Sequence, residues 1–197
     1  VGSEMCIRDR TASDIYHVPI DQVDKNMRRT AKAVNFGILY GISSFGLSED
    51  LGINIKMAKE FMDNYLETYP GISEYMEEEK QNAYKHGYVK TLMNRKRVIE
   101  ELQSKNYLVR SGGERIALNT PIQGTAADIL KKAMIEIYDK FRELGLKSKM
   151  LIQVHDELVF NVKKDEMDQV TEIVRDIMEN TYPLEAPLKV DIEYGND

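Results

Sequence analysis

The sequence predicts an α+β fold in which a mostly helical lobe precedes a lobe with a long helix and a small antiparallel sheet. Apolar residues recur at helical spacing as far as His86, which is typical of helices packed on one face. After Gly87 the apolar pattern alternates in short stretches, as it does in half-buried strands. Because helices come first and mixed elements follow, we predict two lobes with a boundary near residues 87–105.

Stop and start signals divide the first lobe. Asp21 and Asn54 are predicted N-caps, because a short polar side chain there accepts a bond from the first helical turn. Gly87 is the predicted end of the last helix in this lobe. Three longer helices are predicted at residues 22–40, 55–69 and 72–86, with short helical pieces at 14–18 and 48–51.

The second lobe begins with a short hairpin around Asn94 and an irregular segment at residues 105–113. A helix is predicted from Glu114 to Gly145, disturbed at Pro121, where the backbone has no N–H to donate. The remaining predicted elements are a hairpin at 149–162, a helix at 165–180 and a last strand at 188–194.

Composition is that of an ordinary globular chain, with 42% hydrophobic and 30% charged residues. Cys6 is the single cysteine of the 197 residues, so no internal disulfide can form. The net charge of −6 is unevenly spread. Residues 80–115 hold nine Lys and Arg against three Glu, a net of +6, whereas residues 165–197 are acidic. The basic region suits phosphate binding, although such runs are more often plain solvated surface.

A stripe of four side chains runs along the helix before Gly41, at a constant spacing of four: Arg28, Lys32, Phe36 and Tyr40. Each step rises roughly 6 Å along a helix. Cations at one end suit phosphates and rings at the other suit a sugar and a base, as a nucleoside triphosphate requires. The alternative is a surface helix with its cations in water and its rings in the core. Gly37 and Gly41 in the same helix are expected to permit a close approach by another group.

An imidazole and two carboxylates separate two apolar runs in KMLIQVHDELVFNV: His155, Asp156 and Glu157. A hairpin would project these groups from a rigid base, and carboxylate oxygens are the ligands that divalent cations such as Mg²⁺ prefer. The alternatives are a polar surface turn or a metal hydrolase that would need further ligands.

Long motifs in this chain are similar to those of one enzyme family. RRTAKAVNFGILYG resembles the nucleotide-binding helix in the fingers of family A DNA polymerases, the bacterial DNA polymerase I type. NTPIQGTAADI and QVHDELVF resemble successive parts of the palm in the same family. The resemblance extends from about Thr11 to Tyr194. It implies a fingers subdomain at 11–104 and the C-terminal part of a palm at 105–197, an incomplete polymerase right hand.

The resemblance implies a role for each member of the stripe. Arg28 and Lys32 match residues that hold the triphosphate of an incoming dNTP, and Lys32 also matches the donor of a proton to departing pyrophosphate. Phe36 matches the residue that packs on the deoxyribose. Tyr40 matches the ring that stacks at the templating position and leaves when the fingers close.

The resemblance also implies a catalytic role for the hairpin tip. Asp156 matches a ligand of the two Mg²⁺ ions that act in the complete enzyme, Glu157 would assist it, and His155 matches a residue at the primer end. Further contacts with primer–template DNA are implied for three residues of the preceding helix: Arg115, Asn119 and Gln123.

The sequence departs from the family in what it lacks. The upstream motif that carries the other palm aspartate has no counterpart here, and residues 1–10 resemble stray sequence. We therefore expect this polypeptide alone to show little or no polymerase activity. The expected partners are primer–template DNA and dNTPs, with no membrane, for a monomer in the bacterial cytoplasm near the nucleoid. The alternatives are a non-catalytic DNA- or nucleotide-binding module and a plain α+β interaction domain.

Overall fold

The chain is described from a computed structural model, which defines the backbone of residues 2–195 and the side chains of residues 9–195. The fold is mostly helical, with two small antiparallel sheets and one long helix, so the predicted α+β class is confirmed. The helices are α1 Gly2–Tyr16, α2 Lys25–Leu39, α3 Ser44–Leu51, α4 Ile55–Thr68, α5 Pro70–His86, α6 Tyr107–Glu143 and α7 Met167–Asn180. The strands are β1 Tyr88–Lys90, β2 Lys96–Val98, β3 Lys149–Val154 and β4 Glu157–Asn161.

Two compact units make up the chain, the first ending at Ile122 and the second beginning at Gln123. The division falls inside α6, one residue after Pro121. Each unit has a hydrophobic core of its own. Among the described residues, no helix combines the length and the apolar character needed to cross a membrane.

The main core of the first unit lies among α1, α2, α3 and α4. Its centre includes Val34 and Ile38 from α2, which are fully buried, and Tyr16 of α1 meets Phe61 of α4 edge-on at 5.5 Å between ring centroids. A second cluster joins α5, the β1–β2 hairpin and α6. The side chains buried in these two clusters are Ile15, Val34, Ile38, Leu47, Ala58, Phe61, Tyr65, Ala83, Val89, Ile99, Leu102 and Ala117.

Side chains cap the starts of α2, α3 and α4, with one correction to the sequence prediction. Asn54 caps α4 as predicted, since its side chain accepts a bond from Met57 N at 2.8 Å. The predicted cap Asp21 is wrong, because it lies in a 3₁₀ turn at Ile20–Gln22. Asp24 caps α2 instead, and its carboxylate accepts from Met27 N at 2.8 Å.

The start of α6 also differs from the prediction. Residues 107–113 are helical rather than irregular, because Asn106 caps the helix and accepts from Leu108 N at 2.9 Å. Gly113 lies inside this helix and permits close packing: a Cβ there would lie 3.0 Å from Cβ of Glu101 and 3.1 Å from the backbone N of Leu102.

The second unit packs α7 and the β3–β4 hairpin around the last turns of α6. Its buried centre is formed by Ile137, Phe141, Val170 and Val174. The hairpin register runs from Lys149 opposite Asn161 to Val154 opposite Glu157, with a bulge between Met150 and Ile152.

Residues 188–194, predicted as a last strand, are not a strand. Within the described chain β3 and β4 pair only with each other, and residues 188–194 pair with neither strand. It is tethered to α7 instead: Val190 N donates to Glu179 Oε1 at 3.0 Å, and the hydroxyls of Tyr194 and Thr171 lie 3.2 Å apart.

Candidate functional site

The predicted stripe lies on the solvent side of α2. Ala31, Val34 and Ile38 are the buried residues of α2, so the positions of the stripe point away from the core. Lys32 is exposed and Phe36 is 40% exposed, so the alternative in which this ring enters the core does not hold. Tyr40 is the C-cap residue rather than a helical one, and its ring lies 6.1 Å from that of Phe36 between centroids.

The two cations of the stripe are in different states. Arg28 makes a bidentate ion pair with Asp9, with Nε 2.5 Å from Oδ1 and Nη2 3.1 Å from Oδ2. Lys32 makes no ion pair to another described residue. The partner of Arg28 belongs to the ten residues that sequence analysis set aside, so no motif could have identified it.

The turn after Tyr40 is fixed by glycine. Gly41 is left-handed, with φ of 72°, and donates to Ile38 O at 2.9 Å, while Ile42 N donates to Gly37 O at 2.8 Å. These paired bonds form a Schellman motif that ends α2. The side chain of Ile42 covers Gly37, where a Cβ would lie 2.9 Å from Ile42 Cγ2. The close approach expected at Gly37 is therefore made by the chain itself.

The three ionisable residues of the hairpin tip are exposed. His155 and Asp156 form the two-residue turn, and Glu157 is the first residue of β4. His155 has a φ of 55°, a left-handed conformation that costs a non-glycine residue about 1–2 kcal/mol. Its carbonyl accepts from Gln153 Nε2 at 2.9 Å. The tip thus presents both carboxylates to solvent.

The tip does not by itself complete a metal site. Among the described residues, no group of three His, Cys, Asp or Glu side chains is placed to hold an ion. Asp156 and Glu157 offer the hard oxygen ligands that suit Mg²⁺, but Mg²⁺ requires near-octahedral coordination. Most of its ligands would have to come from phosphates, water or groups outside the described residues.

The base of the hairpin is held by a carboxylate that sequence analysis missed. Glu166 accepts from Lys147 N at 2.9 Å, from Ser148 N at 2.8 Å and from the Ser148 hydroxyl at 2.6 Å. The bond from the Ser148 hydroxyl, followed by the bond from Lys147 N, lowers the pKa of Glu166. Nothing in the local pattern distinguishes this glutamate from its acidic neighbours.

The predicted DNA-contacting residues of α6 differ in accessibility. Arg115 and Gln123 are exposed, whereas Oδ1 of Asn119 is buried and has no hydrogen-bond partner among the described residues. Arg115 and Asn119 belong to the first unit and Gln123 begins the second. Their roles, like those of the stripe and the tip, stay predictions at this point.

Comparison with known proteins gives one consistent result. The family model described as DNA polymerase family A matches residues 4–197. The chain is 52% identical to DNA polymerase I of Bacillus subtilis over 193 residues, which cover 98% of the chain and 22% of that protein. It is 49% identical to DNA polymerase I of Geobacillus stearothermophilus over 189 residues, or 96% of the chain and 22% of that protein.

A solved structure is also similar. It is the POL domain of Pol1 from M. smegmatis in complex with DNA primer-template and dNTP. The TM-score is 0.87 at 42% sequence identity, and the match covers 92% of this chain and 32% of that one. The chain therefore spans about a fifth of the length of the curated relatives it matches.

Proposed function

This chain belongs to DNA polymerase family A, and from that premise we propose that it supplies the nucleotide-binding fingers and part of the palm of a DNA-directed DNA polymerase. Residues 11–104 are the proposed fingers and 105–197 the proposed palm segment. The complete enzyme would extend a primer on a DNA template in replication or repair, in the bacterial cytoplasm and as a monomer.

The observation that carries the proposal is the solvent-facing stripe on α2. Exposed Lys32, without an acidic partner among the described residues, would hold the triphosphate of a dNTP. Phe36, 40% exposed, offers a flat apolar surface to the sugar, and the nearby ring of Tyr40 suits a base. Arg28 would join Lys32 on the phosphates when it is not paired with Asp9.

The chemistry would be transfer of a nucleotidyl group. The primer 3′-hydroxyl loses its proton to solvent as its oxygen bonds to the α-phosphorus. The bond from the α-phosphorus to the oxygen that bridges to the β-phosphorus breaks, and pyrophosphate leaves. Lys32 would donate a proton to that leaving group. Two Mg²⁺ ions, when bound, would activate the hydroxyl and stabilise the pyrophosphate, with Asp156 as one protein ligand and Glu157 beside it.

The remaining predicted residues would hold the DNA. Arg115 and Gln123 are exposed and able to reach a duplex, and His155 at the hairpin turn would meet the primer end. Asn119 would need to turn its amide outward, because its Oδ1 is buried here. Minor-groove acceptors shared by all base pairs would let such residues test pair geometry without reading sequence.

The incomplete set of metal ligands at the tip favours a second candidate function for the isolated polypeptide, which is binding without catalysis. With no three metal ligands brought together among the described residues, the 197-residue chain would bind DNA and nucleotide without extending a primer. It would then act as a binding module until the rest of the palm is supplied.

The test replaces the matching segment of B. subtilis DNA polymerase I with residues 11–195 of this chain. We expect primer extension in this chimaera and none by the isolated chain. Lys32→Ala should slow extension about a hundredfold or more, since a general acid contributes about 10²–10⁴. Lys56→Ala, an exposed lysine of α4, is the matched control.

Asp156→Ala in the same chimaera distinguishes an enzyme from a binding module. Lost extension with retained primer–template affinity supports the enzyme. Extension at the parental rate in either Lys32→Ala or Asp156→Ala would refute the role proposed for that residue.

A further inference from the structure

The turn that follows α2 rests directly on α6 within the first unit. A Cβ added at Gly41 would lie 3.2 Å from Arg115 Cγ, 3.2 Å from Leu118 Cδ1 and 3.7 Å from Arg115 Cα. These distances are shorter than ordinary van der Waals contact for the first two atoms. The stem of Arg115 therefore packs against the backbone at Gly41 more closely than a side chain at that position would ordinarily allow.

Comparable glycines show that this contact is not a general feature of such turns. Gly52 and Gly87 also end helices in the left-handed conformation, with φ of 65° and 72°. A Cβ at either would meet nothing within 4 Å. All three positions need glycine for backbone reasons, but only at Gly41, among these three, does packing also require it.

Arg115 has little else to hold it. It is exposed, and its guanidinium makes no hydrogen bond or ion pair with another described residue. Leu118, three residues after Arg115 on α6, is buried. Its contact with Gly41 packs the turn after α2 against α6. The aliphatic stem of Arg115 is thus confined between its own helix and the turn at Gly41, which limits the directions its head can take.

Tyr40 immediately precedes Gly41. The orientation of this ring and the direction of Arg115 are therefore set by one short turn, whose conformation the Schellman bonds of Gly41 and Ile42 define. A preorganised arginine loses less conformational freedom when it binds a ligand, and affinity rises accordingly.

We propose that Gly41 is a positioning residue for DNA binding, which acts by seating the stem of Arg115 and by tying Arg115 to the turn that carries Tyr40. This inference rests on the proposed function, in which Arg115 contacts primer–template DNA. A side chain at position 41 would displace Arg115 and so weaken DNA binding without removing any group that touches DNA.

The experiment is a double-mutant cycle on the 197-residue chain, with the dissociation constant for primer–template DNA measured by fluorescence anisotropy. The variants are Gly41→Ala, Arg115→Ala, the double variant, and Gly52→Ala as the control with similar backbone strain and no neighbour. We expect Arg115→Ala to weaken binding about tenfold. Gly41→Ala should weaken it about fivefold and Gly52→Ala less than about twofold.

The decisive quantity is the coupling between positions 41 and 115. If Gly41 acts through Arg115, Gly41→Ala adds nothing to the loss caused by Arg115→Ala. A general folding defect would instead add its full effect in both backgrounds. Arg115→Ala also removes the Cγ that would collide, so the fall in melting temperature caused by Gly41→Ala should shrink in that background, whereas that of Gly52→Ala should not.

Each other result overturns the inference in a recognisable way. Additive losses would refute the coupling and leave the proposed DNA contact of Arg115 standing. Unchanged affinity in Arg115→Ala would refute both that contact and the inference. Should Gly41→Ala not fold, Gly41→Asn against Gly52→Asn repeats the cycle, because asparagine tolerates the left-handed conformation while still adding a Cβ.

Discussion

The stripe on α2 and the tip of the β3–β4 hairpin both present charged groups to solvent, but they are supported very differently. α2 is capped by Asp24 and ends at the Gly41 turn. Its other face carries Val34 and Ile38, which are buried in the core. The hairpin is a two-stranded sheet, and such a sheet alone is marginally stable in water. Its inward face is only half-buried.

The outward face of the hairpin sharpens the contrast. Leu151 is 60% exposed and Ile152 is 54% exposed. Apolar side chains on the solvent side of a strand are more typical of a sheet covered on both faces. The stripe proposed to bind nucleotide therefore lies on a helix that is well packed in the first unit, whereas the support of the carboxylates at the hairpin tip is not complete within the described residues.

The largest expected effect is on the free energy of unfolding, and it compares a core residue of α2 with a residue of the β3–β4 hairpin. Ile38→Ala removes a side chain that is 1% exposed and leaves a cavity beside Val34, so we expect a loss of about 3 kcal/mol in the free energy of unfolding. Leu151→Ala on the hairpin should change it by less than about 0.5 kcal/mol. Urea denaturation monitored by circular dichroism measures both losses. Equal losses in the two variants would contradict the difference in support between α2 and the hairpin.

The next effect concerns the ion pair that distinguishes Arg28 from Lys32. Asp9→Asn removes the charge that now holds the guanidinium, so Arg28 becomes free to bind the triphosphate. Because the pair is partly exposed, we expect dATP affinity to rise about fivefold, or ~1 kcal/mol. Equilibrium dialysis with the 197-residue chain measures it.

Asp50→Asn makes the same charge change on the exposed surface of α3 and is the control for net charge. If the two variants gain affinity equally, the ion pair with Asp9 does not compete with the nucleotide. A gain confined to Asp9→Asn would mean that the preformed stripe is held below its full affinity by its own chain.

Those parts of the candidate site that are governed by local periodicity could be predicted from the sequence. The spacing of four placed Lys32 and Phe36 on one exposed face, because the opposite positions of the helix are apolar. Alternation placed Asp156 at a hairpin turn. Both follow from neighbours within a few residues, whose geometry the backbone alone dictates.

What the sequence could not provide are contacts between distant residues. The ion pair of Arg28 with Asp9 and the seat of Arg115 on Gly41 depend on how helices pack, which no local period reports. The packing of Gly113 against Glu101 is another such contact, which the irregular segment predicted at residues 105–113 did not indicate. The prediction that residues 188–194 form a strand was wrong, because this segment bonds to Glu179 and Thr171 of α7 instead of pairing with a strand.

The smallest expected effect is on the pH dependence of stability, and it tests the base of the hairpin at Glu166. The pKa of Glu166 is lowered in the folded chain by the bonds from the Ser148 hydroxyl and from Lys147 N. A depressed pKa means that the ionised carboxylate stabilises the fold above the ordinary pKa of a glutamate. That contribution is lost as the pH falls through the lowered value, when the carboxylate takes up a proton.

We therefore expect the urea midpoint of the chain to decline on acidification below the ordinary glutamate range, and Glu166→Gln to reduce that decline. Glu172→Gln, an exposed glutamate of α7, is the control and should leave the pH dependence unchanged. Amide exchange at Lys147 and Ser148 locates the change at the hairpin. An unaltered pH dependence in Glu166→Gln would mean that this carboxylate does not stabilise the hairpin. The hairpin would then be held by the packing of Met150, Leu158 and Phe160 against the core of the second unit.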